Sequence, residues 1–498
     1  MADVAIKRVQ AALEGGFTPP GTGSVYTGGS PLVATRRWAL EAKPQFDWKP
    51  TYSRPVDARG SYAGSYQSLL ELMEATGKGT AALYCDDLTF HGRMAYSGAP
   101  TITTLPSSPN VLLAATAIAA TMSLTTQPNA GPDGALGQIL AVTLSNTSAS
   151  TTSVTITVTG TDVYGNVLTE QVVFSAGTTT PSKVGGGAGA LSCTLYTQHY
   201  FRTVTAAGIV TSAQPTGDLV AVGGVYAFLW KFAPDMRTPT LYSATVEYDD
   251  GVAGWQIPGV LMNKHELEIQ FGKSMKATLD MMAQKKVALA ASTGSINPSA
   301  QAGSRDALQN LADNNMAALA SALGNFWTDP MGATPGTTNL PGRITDFKFG
   351  VDNQLKLIKG GDGTPYVNQV GRGTYGDKLT CEFTLLFTSY LGSTVDPAEL
   401  QQFLNNASRT IRVAVPGAPL PCGVLTSTGG WPAALQQSNF GGSYGVIYDV
   451  AGRYTLVSEK DVDERVAHTY KLESEVDLET MGVPYSVQVV SRVNPNMV

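Results

Sequence analysis

The side chains that could do chemistry are few, and their spacing does not suit them to it. There are four histidines, His91, His199, His265 and His468, and none lies within a helical turn of another. His265-Glu266 opens like a zinc-protease helix, but no second histidine follows at the spacing that would place two imidazoles on one face. Gly272-Lys273-Ser274 ends like a phosphate-binding loop, yet Leu267 stands where that loop needs glycine. Gly441-Gly442-Ser443-Tyr444-Gly445 fits the nucleophile-elbow pattern, which requires a helix after the serine. Here the strand-like GVIYDV follows, so a glycine-rich turn is the better reading. Cys85, Cys193, Cys381 and Cys422 are scattered, which indicates neither a disulfide framework nor a zinc site. Trp255, close to Asp249 and Asp250, is the nearest approach to the aromatic and paired-carboxylate setting of a glycan site; it reads as part of a hairpin. The expectation is a protein that is not an enzyme, with no cofactor and no metal.

Carboxylates are the one group that the pattern gathers. In YKLESEVDLE, period-two alternation puts Glu473, Glu475 and Asp477 on one strand face, with Leu472, Val476 and Leu478 on the other. Glu266 and Glu268 share a face of ELEIQF in the same way. Carboxylates in line repel one another, so each row must see water. The plain reading is a solvated face, and the sharper one is an acidic channel wall.

The elements that would hold these rows are strands. The chain has 498 residues, 43% hydrophobic but only 14% charged, with 53 glycines. That texture suits strands and turns better than charged helices, and suits a protein that covers its surface with copies of itself. At about 150 residues per domain the length allows about three domains. The net charge of -6 comes with no basic stripe, which argues against gripping nucleic acid. No secretory signal and no membrane-spanning apolar run is evident, so a cytoplasm-like compartment is expected.

Residues 1–99 read as an extended Gly/Pro-rich arm, lying on its own domain or reaching a neighbour, and then the start of a first domain. In it, SYQSLLELMEATG predicts a short helix with Leu69, Leu70 and Met73 inward and Gly77 as its stop; the strand TAALYC follows. Residues 100–227 lose nearly all charge. There Val154, Ile156 and Val158 alternate with threonines, and a turn at Gly165-Asn166 leads to Leu168, Val172 and Phe174, as in a β-sandwich. Residues 228–291 complete the first domain, with a turn at Asp249-Asp250-Gly251 and strands carrying Leu267, Ile269 and Phe271, then Ala277, Leu279 and Met281. Residues 292–335 are a linker and a helix capped by Ser304. Residues 336–498 form a last β-domain, where Leu379, Cys381, Phe383, Leu385 and Phe387 alternate and Asp396 caps a helix in PAELQQFLNN. The outer parts share an order of elements, which suggests a duplicated β-domain with a third β-domain inserted in the first copy.

These segments together resemble the tail tube proteins of long-tailed, siphovirus-type bacteriophages. The resemblance is carried by ALEGGFTPPGTGS, DARGSYAGSYQSLLELMEATGKG, RTPTLYSATVEYDDG with IPGVLMNKHELEIQFGKSMKATLDMM, and PGRITDFKFGVDNQLKLI with VGRGTYGDKLTCEFTL. It covers most of 15–99 and 228–498. The middle portion, VTITVTGTDVYGNVLTEQVVF, is similar to the immunoglobulin-like domains inserted in phage structural proteins. The resemblance implies a mainly β chain with two tube-type sandwich or barrel domains and short flanking helices; the inserted sandwich departs from shorter family members and is expected to face outward and to be dispensable. It further implies trimeric rings of pseudo-sixfold symmetry stacked into a tube, in contact with tape measure, terminator and distal tail proteins. DNA would pass through the lumen without specific binding, no membrane is involved, and the site is the virion, assembled in the bacterial cytoplasm. Glu266, Glu268, Glu473, Glu475 and Asp477 are the candidate lumen-facing acids. The alternatives are another tail component (terminator, decoration or baseplate) and a carbohydrate-binding β-protein.

Overall fold

A computed structural model describes residues 9–17, 36–38, 40, 45–53, 69–130, 136–146, 153–174, 191–236, 241–249, 254–270, 275–283, 286–288, 325–340, 344–358, 369–372, 378–386, 397–422, 431–435, 443–462 and 465–495. The described chain is mainly β, with antiparallel sheets and two α-helices. It begins with strands β1 (Val9–Phe17), β2 (Arg36–Arg37), β3 (Gln45–Ser53) and β4 (Leu69–Ala82), followed by helix α1 (Cys85–Ala95). The helix expected over SYQSLLELMEATG is therefore a strand. Helix propensity is a weak preference, and here β4 gains a ladder on each side, from β3 and from Lys276–Ala283. Gly77 does not stop a helix. A Cβ there would come 2.6 Å from the Phe46 ring, so its missing side chain lets the aromatic pack.

α1 starts at Cys85, the last residue of the expected strand TAALYC. Asp86 and Asp87 in its first turn and Arg93 in its last suit the helix dipole. Its residues are buried almost all round, Asp87, Thr89 and His91 included. That leaves no polar stripe to advertise a helix.

The chain then leaves through β5 (Thr101–Leu105) and returns through β13 (Ala227–Phe232), which pair with each other, Leu105 opposite Ala227. Between them lie β6 (Asn110–Ala117), β7 (Thr121–Met122), β8 (Gln138–Asn146), β9 (Val154–Asp162), β10 (Val167–Phe174), β11 (Leu191–Thr211) and β12 (Asp218–Val225). They form their own sheet in the order β10-β9-β11-β8-β12-β6, with β7 on β11. The alternation read from the sequence holds, since Val154, Ile156, Val158, Val172 and Phe174 are buried in a core of their own. In the β9–β10 turn Asp162 Oδ1 accepts the backbone N–H groups of Tyr164 (2.9 Å) and Asn166 (2.8 Å), and Gly165 takes φ +90°.

This inserted sheet also shares the core of the rest. Ile139, Ala141, Tyr200 and Val225 belong to the main apolar cluster. The Tyr196 ring stands edge-on to Phe228 at 4.9 Å, Asn494 Nδ2 donates to the Thr197 carbonyl at 3.1 Å, and Leu136 N donates to the Cys422 carbonyl at 2.8 Å.

The chain continues with β14 (Leu241–Asp249), β15 (Gly254–Gln270), β16 (Lys276–Ala283), β17 (Val287–Ala288), β18 (Asn325–Pro330), β19 (Ile344–Asp352), β20 (Leu355–Ile358), β21 (Gln369–Arg372) and β22 (Lys378–Leu386). Helix α2 (Pro397–Leu404), β23 (Ser408–Pro419), β24 (Ser443–Val462), β25 (Arg465–Ser474) and β26 (Tyr485–Ser491) complete it. The alternating Leu379, Cys381, Phe383 and Leu385 point inward, as do Leu267, Ile269, Ala277, Leu279 and Met281. α2 lies where PAELQQFLNN predicts a helix. Phe271, the helix expected after Ser304, Phe387 and Asp396 lie outside the described residues.

Strand pairing repeats across the two halves. In the first, β1 pairs β14, β14 pairs β15, β15 pairs both β17 and β16, β16 pairs β4, and β4 pairs β3. In the second, β18 pairs β23, β23 pairs β24, β24 pairs both β26 and β25, β25 pairs β22, and β22 pairs β19. The order along the chain is the same, with α1 following β4 as α2 follows β22. β15 and β24 even share a break in register against the next strand, between Met262 and Lys264 and between Tyr454 and Leu456. The segment from β5 to β13 interrupts the first half between α1 and β14, where the second half runs directly from α2 to β23.

Because the inserted sheet caps the main core, replacing residues 106–226 with a short glycine turn between β5 and β13 should lower unfolding stability by about 2–4 kcal/mol, the scale of losing large buried neighbours. Thermal and urea unfolding measure this; an unchanged midpoint would show the insert to be dispensable.

Candidate functional site: a charged sheet face

The two halves join edge to edge. Lys264–Gln270 of β15 pairs antiparallel with Asp346–Asp352 of β19, giving one sheet that runs β3-β4-β16-β15-β19-β22-β25-β24. A side-chain clamp sits at the β15 bulge. Buried Asn353 donates from Nδ2 to the carbonyls of Ala95 and Met262, each at 2.9 Å, while Asn263 Oδ1 accepts the Leu355 N–H at 2.7 Å. Leu355 and Val370, from the β20–β21 hairpin, pack on Leu241 and Leu261 of the first half.

One face of this sheet buries Leu267, Ile269, Phe347, Phe349, Cys381, Phe383, Tyr470 and Leu472. The other face carries charge in rows that cross the strands. Directly opposed residues run Lys276, Glu268, Lys348, Glu382, Lys471. A second row runs Lys78, Asp280, Lys264, Asp352, Lys378. Charge alternates at each step in both rows, the favourable arrangement for cross-strand neighbours. Between the rows Glu266 pairs with both Lys264 and Lys348. Burial alone would raise its carboxyl, but the two ammonium groups hold it below the usual carboxylate range.

Further along, Lys460 Nζ of β24 lies 3.1 Å from Asp346 Oδ2 of β19, across two intervening strands. Three strand spacings amount to about 14 Å in a flat sheet, more than the two side chains span, so the charged face is concave along this diagonal.

The expected acidic rows meet this face in part. Glu266, Glu268 and Glu473 lie on it. Glu475 stands just past the end of β25, where its carboxylate takes the Arg453 guanidinium at 3.2 Å and the Ser408 hydroxyl at 2.6 Å. Asp477 is not on a strand face and does not see the same space. It is 1% exposed and closes a turn, with Oδ1 accepting the N–H groups of Glu479 (3.1 Å) and Thr480 (3.2 Å). Those bonds hold its carboxyl below the ordinary range against the opposing effect of burial. Nor are the acids an uncompensated wall, because lysines interleave them. The missed lysines were visible as Lys264-x-Glu266-x-Glu268, Asp346-x-Lys348 and Lys471-x-Glu473, where opposite signs share one period-two face.

The other groups singled out from the sequence take structural places. Ser443 begins β24, so no helix follows it, and its carbonyl accepts the Trp431 indole at 3.3 Å. Trp255 is opposite Tyr248 in the β14–β15 hairpin, with Lys286 Nζ 4.3 Å from its ring centre. Burial raises the thiols of Cys85, Cys381 and Cys422, which makes them poor nucleophiles. His91 and His265 do approach each other, with ring centres 5.6 Å apart, and His91 Nε2 accepts the Trp38 indole at 2.7 Å. Among the described residues no three His, Cys, Asp or Glu side chains are grouped to hold a metal. Compared with known proteins, the sequence matches no protein-family model and no curated protein.

His265 is fully buried in the joint, and burial pulls its imidazole down to about 4 from 6.5. The unfolded chain takes up the proton first, so this group's contribution to stability is complete above pH 6.5 and is lost as the pH falls toward 4. At 1.36 kcal/mol per unit the loss approaches about 3 kcal/mol. His265→Phe should therefore show a shallower fall in unfolding free energy over that interval, measured by urea titration at several pH values; an unchanged slope would assign the fall to other groups.

Proposed function

We propose that this chain is a non-enzymatic structural protein, the tail tube subunit of a long-tailed bacteriophage, which assembles with copies of itself into stacked rings around a DNA conduit. The repeated strand pairing is the observation that carries this reading. The chain already contains two units of the same strand pairing joined edge to edge, which supports the addition of further units in the same way. With two units per chain, three chains complete a ring of six, in which the joined sheet closes without an open edge that could drive disorderly aggregation.

The concave charged face suits the lumen of such a ring. Glu266, Glu268 and Glu473 would line it together with Lys264, Lys348 and Lys471. Alternating signs cancel beyond a few ångströms, and salt screens what is left within about 8 Å. A passing duplex would meet no cationic stripe to bind its phosphates, whose affinity rises with each lysine or arginine contact. The inserted sheet would lie away from that lumen, and the ring ends would meet the tape measure, terminator and distal tail proteins. The protein would reside in the virion after assembly in the bacterial cytoplasm. Among the described residues no helix is long and apolar enough to cross a membrane.

Electron microscopy of the purified protein tests the reading: hollow rings or tubes of constant bore are expected, and a compact monomer at every concentration would refute it. Lumen chemistry has its own test. Glu268→Lys with Glu473→Lys changes two exposed positions, so rings should still form, but they should retain DNA at low salt and release it as salt rises. Rings with unaltered DNA retention would remove these residues from the lumen.

A further inference from the structure

The two ends of the joined sheet are unpaired among the described residues. β3 has β4 on one side only, and Leu456–Val462 of β24 has β25 on one side only. These two edges are the counterparts of the strands that pair inside the chain, β19 and the second part of β15.

The correspondence can be followed residue by residue through the pairings. Lys264 and Leu456 each follow the shared register break. In the first half Lys264 opposes Asp280, Asp280 opposes Lys78, and Lys78 opposes Gln45. In the second half Leu456 opposes Lys471, Lys471 opposes Glu382, and Glu382 opposes Lys348. Gln45 is thus the equivalent of Lys348. Lys348 itself opposes Glu268 across the internal joint, and Glu268 lies four positions after Lys264, as Lys460 does after Leu456.

We infer that the partner of each open edge is a second copy of this chain, with residues 456–460 of one copy laid antiparallel against residues 45–49 of the next. Leu456 then opposes Lys49, Val457 opposes Trp48, Ser458 opposes Asp47, Glu459 opposes Phe46 and Lys460 opposes Gln45. The inference rests on the assembly reading above and fixes its register. Exposed apolar side chains at this end of the sheet, Leu456 at 53% and Val466 at 51% exposure, agree with an edge that a neighbour covers. The contact is head-to-tail, since two different edges meet, and such a contact builds rings or filaments but no closed dimer.

The joint between chains also differs from the internal one. At the positions of Asn263 and Asn353 it carries Thr455 and Pro50, so the amide clamp has no counterpart. The joint between copies therefore lacks the side-chain amide bonds that fasten the internal one.

Cysteine cross-linking tests the register. Asp47 and Ser458 are exposed, so Asp47→Cys and Ser458→Cys should fold as separate full-length variants. Mixed and oxidised with copper phenanthroline, they should give a covalent dimer on a non-reducing gel. The yield should exceed by about tenfold that from Asp47→Cys mixed with Val462→Cys, which is four positions out of register and beyond disulfide reach. If oligomers form but Ser458 shows no advantage over Val462, the register is wrong while the assembly reading stands. If no oligomer forms at any concentration, both are overturned. Val457→Pro, introduced at the open edge, gives an independent check. It should leave the circular dichroism spectrum of a folded chain and abolish oligomers; persisting oligomers would contradict the inference.

Discussion

The antiparallel pairing of Lys264–Gln270 with Asp346–Asp352 is the contact on which the remaining structure depends. It turns two small sheets into one, and it fixes which side of each strand is wet. Slipping it by one residue would turn Phe347 and Phe349 to the solvent face while Leu267 and Ile269 stay inside, because strand side chains alternate with period two. Asn353 and Asn263 fasten the joint where β15 bulges, Asn353 by donating to the Met262 carbonyl and Asn263 by accepting the Leu355 N–H of β20. Burial of His265 and the packing of the β20–β21 hairpin onto Leu241 and Leu261 both follow from the same closure.

That register also makes the charged face. Each half carries a short alternating run, Lys78-Asp280-Lys264 in the first and Lys348-Glu382-Lys471 in the second, and the joint extends them where Lys264 meets Asp352 and Glu268 meets Lys348. The result is a surface rich in charge but poor in net field, which is an unusual use for a protein with only 14% charged residues. Buried polar groups elsewhere are tied into the scaffold. Glu14 accepts the hydroxyls of Ser243 and Thr245, each at 2.6 Å, and Arg412 grips Asp449 through Nε at 2.6 Å and Nη2 at 2.9 Å. These groups tie neighbouring strands together.

Much of the fold was legible where one face of a strand is buried and the other wet. Val154-Ile156-Val158 and Leu379-Cys381-Phe383-Leu385 announce themselves by period two, and the Gly165-Asn166 turn by its chemistry. Reading failed where burial removes that contrast. β4 has the Leu69, Leu70, Met73 spacing of a helix face, yet ladders from β3 and β16 on its two sides decide its conformation. α1 is buried on nearly every side, so it shows no stripe. The duplication was visible as an order of elements, though the first helix was placed at 65–77 when it lies at Cys85–Ala95. The repeat itself is seen in the strand pairing and the shared register break, for which residue types carry no marker. Among the candidate acids, Glu266, Glu268 and Glu473 were placed on the sheet face correctly. Asp477 was not, because alternation through Glu475 was carried past Ser474, where the strand ends and a turn takes the carboxylate for its own N–H groups.

The central claim is that each chain's open strands are completed by sister chains. Native mass spectrometry measures this most directly, because one chain of 52.2 kDa sets the unit of mass. The account predicts species at three chains and multiples of three, separating into single chains when the backbone joint is disrupted. A single-chain mass alone across the whole concentration range would contradict it.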